Sequence, residues 1–480
     1  MPKFVFLWTD VVLYAMVLAL AWYVWRISVN ANLRANWAKV ARDPAALCAG
    51  IVLALFAGVT LVDSVHFRRA LPPAAGAAGN APTFYATNTE SLLDLLLSRQ
   101  IDMRESNYSE PLAAIGFNKE AIERNGQPTR DYPRLKFAGA HLADPQNERV
   151  GDVLLRTLTG AVGGLVLAAL ALLVTAWAVR AGHGGTMAAV RDIAADRTHV
   201  PLRAALITVT VICVLVGPVI ALMGHYHVFG TDRTGNDVFY QALKSVRTAF
   251  VIGTLATVAT LPFAIVLGIL AGYFRGWVDE AIQYLYTTLT SVPNVLLIAA
   301  CVLMMQVFLD KHPEMFETGS ERSDIKIFLL CVILGLTGWA TLCRLVRGET
   351  LKLRELDYVQ AAAAFGVSHA RIMSRHIMPN LMHLVLITTV LSFSDLILYE
   401  AVLTYVGVGV DPSMNSFGGM INLARSEMSR DPVVWWSFAA AFAFMVTLVL
   451  AANLFADGVR DAFDPRARSF RPQVRKGLVA

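Results

Sequence analysis

Long apolar stretches alternate with short polar ones along most of this 480-residue chain. Each apolar stretch approaches or exceeds the roughly 18–20 residues that a helix needs to cross a bilayer. The pattern predicts nine spans, at Phe4–Trp25, Ala45–Val65, Leu158–Val179, Leu202–Met223, Ala249–Tyr273, Ala281–Val307, Lys326–Val346, Met382–Val406 and Val433–Phe455. We therefore expect an all-α membrane protein.

Composition and charge add an orientation to this prediction. Hydrophobic residues make up 56% of the chain and charged residues 16%, against roughly 45–50% and 25% in soluble domains. If all nine spans cross, four basic clusters fall on one side, namely Arg26–Arg42, Arg180–Arg203, Arg344–Arg375 and Arg460–Lys476. The positive-inside rule then predicts an N-terminus outside and a C-terminus in the cytoplasm. The first run is expected to be a retained anchor and not a signal peptide, because no small-residue cleavage site follows it.

The longest polar segment, His66–Arg156, is predicted to lie outside the membrane. Its start, Pro72–Gly79, has the composition of a flexible linker. Ser91–Gln100 has the pattern of a short helix capped by Ser91. This helix would either lie in the membrane interface or form the core of a small folded loop. The second is favoured because the helix has no basic polar face.

A second polar stretch, Val228–Phe250, follows the fourth span and begins with turn-forming residues, Gly230, Asp232, Gly235 and Asp237. Two interpretations are open, a calcium site and a capped turn before a surface helix. The spacing of the acids does not match an EF-hand loop, so the capped turn is favoured.

Four residues inside the apolar runs are candidates for a transport pathway. Pro262 and Pro293 each free a backbone carbonyl within a span, although prolines are common in membrane helices. Asp395 and Glu400 are carboxylates within the eighth span, where a charge is costly to bury. Pairing with a neighbouring span, or water at a helix end, would also explain them.

The loop between the seventh and eighth spans has the pattern of two short helices joined by a tight turn. Asp357–Phe365 is rich in strong helix formers, and Gly366 suits a left-handed C-terminal cap. Ser368 is a suitable N-cap for a second helix, His369–Met378. Pro379 lacks the N–H that a continuing helix needs, so it is expected to end that helix.

Three functions fit such a segment. A DNA-binding helix-turn-helix is disfavoured because spans on both sides would prevent the segment from entering a major groove. The basic residues Arg371, Arg375 and His376 would also suit anionic lipid headgroups. The third possibility is a coupling element that fits a cleft on a cytosolic partner.

The motifs around this segment resemble the dipeptide and oligopeptide permeases of bacterial ABC importers. Tyr358–Asn380 is similar to the EAA loop of those permeases, and GTDRTGNDVF (Gly230–Phe239) resembles the GTD-x-x-GRDV signature of their C-type subunit. Further similar stretches are LAGYFRGWVDE (Leu270–Glu280), GWATLCRLVRGE (Gly338–Glu349), YEAVLTYVGVGV (Tyr399–Val410) and FADGVRDAFDPR (Phe455–Arg466). Together they run from Val228 to Arg466 in the family's order.

The resemblance implies a type I ABC importer transmembrane domain in a bacterial inner membrane, with no catalysis by this chain. It implies contacts with membrane lipid and not with nucleic acid. The implied protein partners are a second permease subunit, two ABC ATPase subunits that bind ATP and Mg²⁺, and an extracytoplasmic substrate-binding protein. The family's ATPase-coupling positions fall on Tyr358, Gln360, Ala361, Ala362, Phe365, Gly366, Ser368, Arg375, His376 and Pro379. Gln360 stands where the family has glutamate, so it lacks that charge, whereas Glu400 matches a family glutamate and Asp395 does not.

The resemblance also implies a domain organisation with additions before residue 228. Residues 1–45 would be an additional span and a cytosolic linker, 46–65 the family's first span, and 66–156 the extracytoplasmic loop. Two inserted spans would occupy 157–227, the permease domain 228–466 with its coupling loop at 349–380, and a cytosolic tail 467–480. The chain has no Walker A sequence, which agrees with ATP hydrolysis in a partner. Peptides are the expected substrates. An importer of nickel chelates or other peptide-like solutes is one alternative, and an ion-coupled secondary transporter is another.

Overall fold

The computed structural model describes residues 3–71, 84–124, 127–182, 184–316 and 318–463. The predicted linker Pro72–Gly79 and the tail 467–480 lie outside these residues. The first elements in chain order are β1 (Lys3–Val5), α1 (Trp8–Val29), α2 (Ala31–Val40), α3 (Pro44–Asp63), β2 (His66–Arg68), β3 (Glu90–Ser91), α4 (Leu92–Leu96), α5 (Ser98–Asp102), β4 (Glu120–Arg124) and β5 (Gln127–Asp131).

The remaining elements are helices. They are α6 (Arg149–Val179), α7 (Thr186–Ala194), α8 (Leu202–Leu222), α9 (Val238–Phe274), α10 (Gly276–Ser291), α11 (Asn294–Lys311), α12 (Gly319–Arg354), α13 (Asp357–Ala364), α14 (His369–Ile372), α15 (Met378–Tyr405), α16 (Phe417–Glu427) and α17 (Trp436–Phe463). A π-helical turn, Met373–Ile377, joins α14 to α15.

Nine of the described helices are long and apolar enough to cross a membrane, which confirms the predicted number. They are α1, α3, α6, α8, α9, α11, α12, α15 and α17. The predicted sixth span, Ala281–Val307, was wrong as a single helix. It divides into α10 and α11 at Val292, which has an extended backbone, and Pro293 is the N-cap of α11. Proline has no N–H to continue the helix from α10, so the chain starts a new one.

The helices form a bundle with two distinct ends. At one end, Lys244 near the start of α9 contacts Asp63 at the end of α3, and the Trp436 indole donates to the carbonyl of Thr231. We call this the loop end, because the polar segment lies there. Tyr273, roughly 40 Å further along α9 at 1.5 Å per residue, contacts the segment between α12 and α15. We call that the socket end.

The centre of the bundle is the contact between α9 and α12. Its buried residues include Val251, Ile252, Leu255, Ile327, Leu330 and Leu334. The helices α6 and α8 pack against each other at very short range, and α8 also contacts α3. A Cβ atom at Gly164 would lie 2.2 Å from the carbonyl oxygen of Cys213, so only glycine allows this approach. Apolar side chains on the outward faces of both helices are exposed, as expected of surfaces that contact lipid.

The polar segment is folded and holds short strands. β1, β2 and β3 form an antiparallel sheet, with Lys3 opposite Arg68 and His66 opposite Ser91, and β4 and β5 form a hairpin. Ser91 caps α4 in a capping box with Asp94, which confirms the predicted helix start. The predicted single helix Ser91–Gln100 was wrong, because Leu97 leaves the helical conformation between α4 and α5.

Candidate functional site

The predicted turn between α13 and α14 lies at the socket end and has the expected geometry. Gly366 has a φ of +76°, in the left-handed region that favours glycine. Its N–H donates to Ala363 O at 3.0 Å, and the N–H of Val367 donates to Ala362 O at 3.1 Å. These two bonds form a Schellman motif. The chain therefore reverses sharply after α13.

The second helix differs from the prediction. Ser368 occupies the N-cap with an extended backbone, but its side chain makes no cap hydrogen bond among the described residues. The helix His369–Met378 was predicted to end at Pro379, and this was wrong. A π-helical turn follows Ile372, and Pro379 lies in the first turn of α15. The π-helical turn leads directly into α15, so the helix does not end at Pro379 and continues to Tyr405.

The two helices have a buried face and an exposed face. Val359, Ile372 and Ile377 are buried against α9, α10 and α12, and Ala362 packs beside them. The exposed face, which we call the socket surface, consists of Gln360, Ala361, Ala364, Phe365, Gly366, Ser368, Arg371 and Arg375. Phe365, at the tip of this surface, is 88% exposed. An exposed aromatic ring beside small residues and basic side chains is typical of a contact site for another protein.

Polar contacts tie the socket surface to the ends of the long helices. The Tyr273 hydroxyl of α9 lies 2.8 Å from His369 Nδ1, and Arg354 of α12 donates to the Tyr273 carbonyl at 2.6 Å. Arg275, in the corner between α9 and α10, pairs with Glu355. These contacts connect α9, α12 and α14, so a displacement of α14 is transmitted to both long helices.

Two predicted coupling residues have local roles within the segment. The Gln360 amide donates to the carbonyl oxygen of Glu355 at 3.2 Å and to its carboxylate at 3.4 Å. A glutamate at this position would bring a second carboxylate to the same place. The Tyr358 hydroxyl accepts from Asn380 at 2.9 Å, and Asn380 also donates to the carbonyl of His376 at 2.7 Å. The start of α13 is thereby fixed to the start of α15.

The predicted turn at Gly230–Asp237 lies at the loop end, and its acids serve as caps. Asp232 Oδ1 accepts from the N–H groups of Thr234 at 2.8 Å and Asn236 at 2.9 Å. Asp237 caps α9 by accepting from the Tyr240 N–H at 3.0 Å. The capped turn is confirmed, and these carboxylates are occupied by backbone N–H groups. The surface helix predicted after the turn was wrong, because Val238, Ala242 and Val246 in the first turns of α9 are buried in the bundle.

The same turn is the platform on which the polar segment docks. The N–H of Glu105 donates to the Gly235 carbonyl at 3.0 Å, and Thr231 N–H donates to Ser109 O at 3.1 Å. A Cβ atom at Gly235, whose φ is +77°, would lie 1.9 Å from Glu105 O. At Gly230 a Cβ atom would lie 2.5 Å from Ser109 O. The glycines of the turn therefore allow the docking.

A buried histidine, missed by the sequence analysis, joins the two parts. His227 is 1% exposed, and its Nδ1 lies 2.7 Å from Asp237 Oδ2 and its Nε2 3.9 Å from Glu105 Oε1. Burial opposes the charged imidazolium, but the hydrogen bond to Asp237 and the negative charges of Asp237 and Glu105 prevail and raise the pKa of His227 to about 9. Glu105 also accepts three backbone N–H bonds from residues 136–138. Burial opposes its ionisation, but His227 and these N–H groups lower its pKa.

The structure does not bring together Glu400, Asp395 and Pro293, which were predicted to line a transport pathway. Glu400 is fully buried, with Oε1 accepting from Thr404 at 2.8 Å, and its Oε2 has no hydrogen-bond partner among the described residues. Thr404 in turn accepts from Val410 N at 3.1 Å. Asp395 is exposed on another face of α15, and Pro293 is the N-cap of α11.

Comparison with known proteins assigns the family. The model of the binding-protein-dependent transport system inner membrane component matches residues 264–469. The oligopeptide transport system permease protein OppC of Mycobacterium tuberculosis is 32% identical over 252 residues, which are 52% of this chain and 80% of that relative. The chain belongs to this family. OppC of Bacillus subtilis is 30% identical over 242 residues, 50% of this chain and 72% of that protein. The glutathione transport system permease protein GsiD of Pectobacterium atrosepticum is 32% identical over 243 residues, 51% of this chain and 74% of that protein.

The resemblance predicted from the sequence motifs is thus confirmed, and the chain is a C-type permease of this family. The region that the family model matches contains the socket surface and both acids of α15. The span α1, the polar segment and the helix pair α6 and α8 precede that region. The turn Gly230–Asp237, which we call the docking turn, lies between them and the matched region.

Proposed function

We propose that this permease is a subunit of an ATP-driven importer for peptides in a bacterial inner membrane. The names of the mycobacterial and Bacillus relatives support peptides as the substrate class. In this proposal the chain works with a second permease subunit, two ABC ATPase subunits that bind ATP and Mg²⁺, and an extracytoplasmic substrate-binding protein. The chain itself is not catalytic, and membrane lipid surrounds its spans.

The exposed Phe365 ring is the observation that best supports an ATPase partner. It is 88% exposed at the point where α13 ends, between the small side chains of the socket surface. An aromatic ring in that position would fill a pocket on the ATPase, since buried aromatic anchors dominate the affinity of many protein interfaces. Arg371 and Arg375 beside it support the cytoplasmic location of the socket end, by the positive-inside rule. The N-terminus and the polar segment are then outside.

The tethers of the socket surface indicate how ATPase closure would move the spans. A push on α14 would reach α9 through the hydrogen bond between His369 and Tyr273. The same push would reach Asp395 and Glu400 through α15. The reason is that α14, the π-helical turn and α15 form one helical rod of 37 residues from His369 to Tyr405. Closure of the ATPase subunits would thereby rock α9 and α15 together between inward-open and outward-open states.

Replacement of Phe365 by alanine tests the proposal. The side chain is exposed, so we expect a change in stability within about 0.5 kcal/mol and normal abundance in the membrane. ATP-dependent uptake of a tripeptide, and co-purification of the ATPase subunits, should both be lost. Phe84→Ala is the matched control, because Phe84 is 67% exposed at the loop end and should keep both activities.

Other outcomes would favour other functions. Uptake that persists with catalytically inactive ATPase subunits would support an ion-coupled transporter that uses Asp395 and Glu400. Transport of nickel chelates or glutathione in preference to peptides would keep the ATP-driven mechanism and change the substrate class. Phe365→Ala with normal uptake and normal ATPase binding would contradict the role of the socket surface.

A further inference from the structure

A polar cavity of about 800 Å³ lies within the chain at the loop end, and we call it the loop-end chamber. One wall is a single face of α9, which presents Tyr240, Lys244, Arg247 and Thr248. The first turn of α12 and the loop 411–415 form a second wall, and residues 87–89 of the polar segment lie opposite. A volume of this size is typical of a site for a small organic molecule.

The walls are held in place by contacts between the segments that form them. Lys244 Nζ lies 2.7 Å from Asp63 Oδ1 and 2.8 Å from Asp94 Oδ1. Thr248 donates to the carbonyl of Asn415 at 2.7 Å. The Ser320 hydroxyl of α12 lies 2.9 Å from the Thr89 hydroxyl of the polar segment. The chamber is therefore formed by five parts of one chain, namely α3, the polar segment, α9, α12 and the loop 411–415.

The lining is suited to a ligand that has several polar groups. Leu7 and Met414 have apolar side chains and Gly319 has none, and the other lining residues carry hydroxyl, amide, imidazole or charged groups. Hydroxyl and amide side chains both donate and accept hydrogen bonds, as peptide groups require. An apolar molecule would leave these groups without partners, which is costly.

The charges of the lining are balanced. It carries three carboxylates and three cations, namely Asp63, Asp94 and Asp411, and Lys244, Arg247 and Arg322. Burial opposes ionisation of the two acids outside the spans, but the ammonium of Lys244 lowers the pKa of Asp94, and Lys326 lowers that of Asp411. Both are therefore charged at neutral pH. Each of these charges already has a partner of opposite sign in the chain: Lys244 pairs with Asp63 and Asp94, Arg247 with Asp10, Arg322 with Asp310, and Asp411 with Lys326. A carboxylate paired with one cation can accept further hydrogen bonds. A lining of paired charges therefore favours a ligand without net charge over an anion or a cation.

We propose that the loop-end chamber is a binding site for a short peptide with free amino and carboxyl termini. The acids would accept from the terminal ammonium, and the hydroxyl and amide groups would contact the peptide backbone. Lys244 already donates to Asp63, Ser91 and Asp94, so the guanidinium groups of Arg247 and Arg322 would donate to the terminal carboxylate. Such contacts ignore peptide side chains, which suits an importer of varied sequences. This inference rests on the proposed function, and it adds that the permease itself holds the substrate, in a site completed by the segments that precede the family domain.

Photo-crosslinking on the unmodified chain tests the site directly. The complete importer in lipid nanodiscs, with its binding protein, is exposed to a tripeptide that has alanine at both ends and a diazirine-bearing residue in the middle. We expect cross-links to residues 87–89, to 411–415 or to the first turns of α9. Excess trialanine should remove them, and acetyl-trialanine amide, which has no terminal charges, should not. Cross-links confined to other parts of the chain, or equal competition by the capped peptide, would overturn the proposal.

A pair of tryptophan substitutions tests whether import needs the chamber. Asn88→Trp with Ser413→Trp fills it from two opposite walls, and we expect kcat/KM for trialanine import to fall about tenfold or more. Asn147→Trp with Ser429→Trp places the same side chains at exposed positions outside the chamber and should import as the unmodified chain does. Unchanged import by the chamber variant would refute the site and leave the proposed function standing. If the unmodified complex hydrolyses ATP but imports no free tripeptide, the proposed function fails and the chamber proposal fails with it.

Discussion

Titration of His227 should release the polar segment from the docking turn. The imidazole is buried between the carboxylates of Asp237 and Glu105. Burial lowers its pKa, but its hydrogen bond to Asp237 and the negative charges of both carboxylates raise the pKa to about 9. A group whose pKa is raised by folding stabilises the folded state fully below its unfolded pKa of about 6.5. The stabilisation is lost as the pH rises through about 9.

The magnitude follows from the difference between the two pKa values. A shift of about 2.5 pKa units corresponds to about 3 kcal/mol at 1.36 kcal/mol per unit, and most of it disappears between pH 6 and pH 9. If the segment opens as a unit, its opening equilibrium should increase about 100-fold across this range. Glu105 does not contribute there, because its pKa is lowered and it stays ionised.

Hydrogen exchange provides the assay, because the backbone N–H groups of residues 136–138 donate to the Glu105 carboxylate. After correction for the intrinsic pH dependence of exchange, their protection should fall about 100-fold from pH 6 to pH 9. Amides of α12 near Leu330 should not change, and His227→Gln should have a flat profile because glutamine does not titrate. Constant protection in the unmodified chain, or the same slope in His227→Gln, would refute the linkage.

Three further substitutions test local features of the structure. Gly366→Trp should abolish import while the protein stays in the membrane. The protein should stay folded because a Cβ atom at this position meets nothing within 4 Å and the left-handed φ costs only about 1–2 kcal/mol. Uptake and membrane abundance are measured together. Gln360→Glu should lower the free energy of unfolding by less than about 1 kcal/mol, through repulsion from Glu355, and the melting temperature should fall slightly. A salt concentration of about 1 M should remove the effect. Gly164→Leu should destabilise the inserted pair by about 3 kcal/mol or more, whereas Gly163→Leu, at an open position, should not; thermal unfolding in detergent compares the two.

Local sequence signals were sufficient to predict the number of spans and the positions of several helix ends. Gly366, Asp237 and Ser91 occupy the turn or cap positions that their chemistry predicted. Pro293 and Pro379 show the limit of such signals. A missing N–H is equally compatible with the end of one helix and with the first turn of the next, and only the surrounding packing decides between them.

The docking of the polar segment could not be predicted from the sequence. Glu105 and Gly235, which are in direct contact, are separated by 130 positions, and no periodic pattern connects them. His227 directly precedes the stretch Val228–Phe250, whose turn chemistry was recognised, but its second carboxylate belongs to the distant segment. Such a contact depends on how the long helices bring the two segments together, and that is a property of the whole bundle.

The additional span α1 has a role at the loop end that goes beyond anchoring. Arg247 of α9 has a side chain only 5% exposed, and its closest carboxylate is Asp10 of α1 at 2.6 Å. Asp324 of α12 lies further away, at 3.9 Å, and accepts from the Thr9 N–H of α1 at 3.0 Å. Loss of one partner from a buried ion pair costs about 3–5 kcal/mol. The Asp10 carboxylate neutralises Arg247 and the Thr9 N–H hydrogen-bonds Asp324. Both groups come from α1, which precedes the region that the family model matches. The position of Arg247 in the chamber wall therefore depends on α1, which makes α1 part of the proposed peptide site.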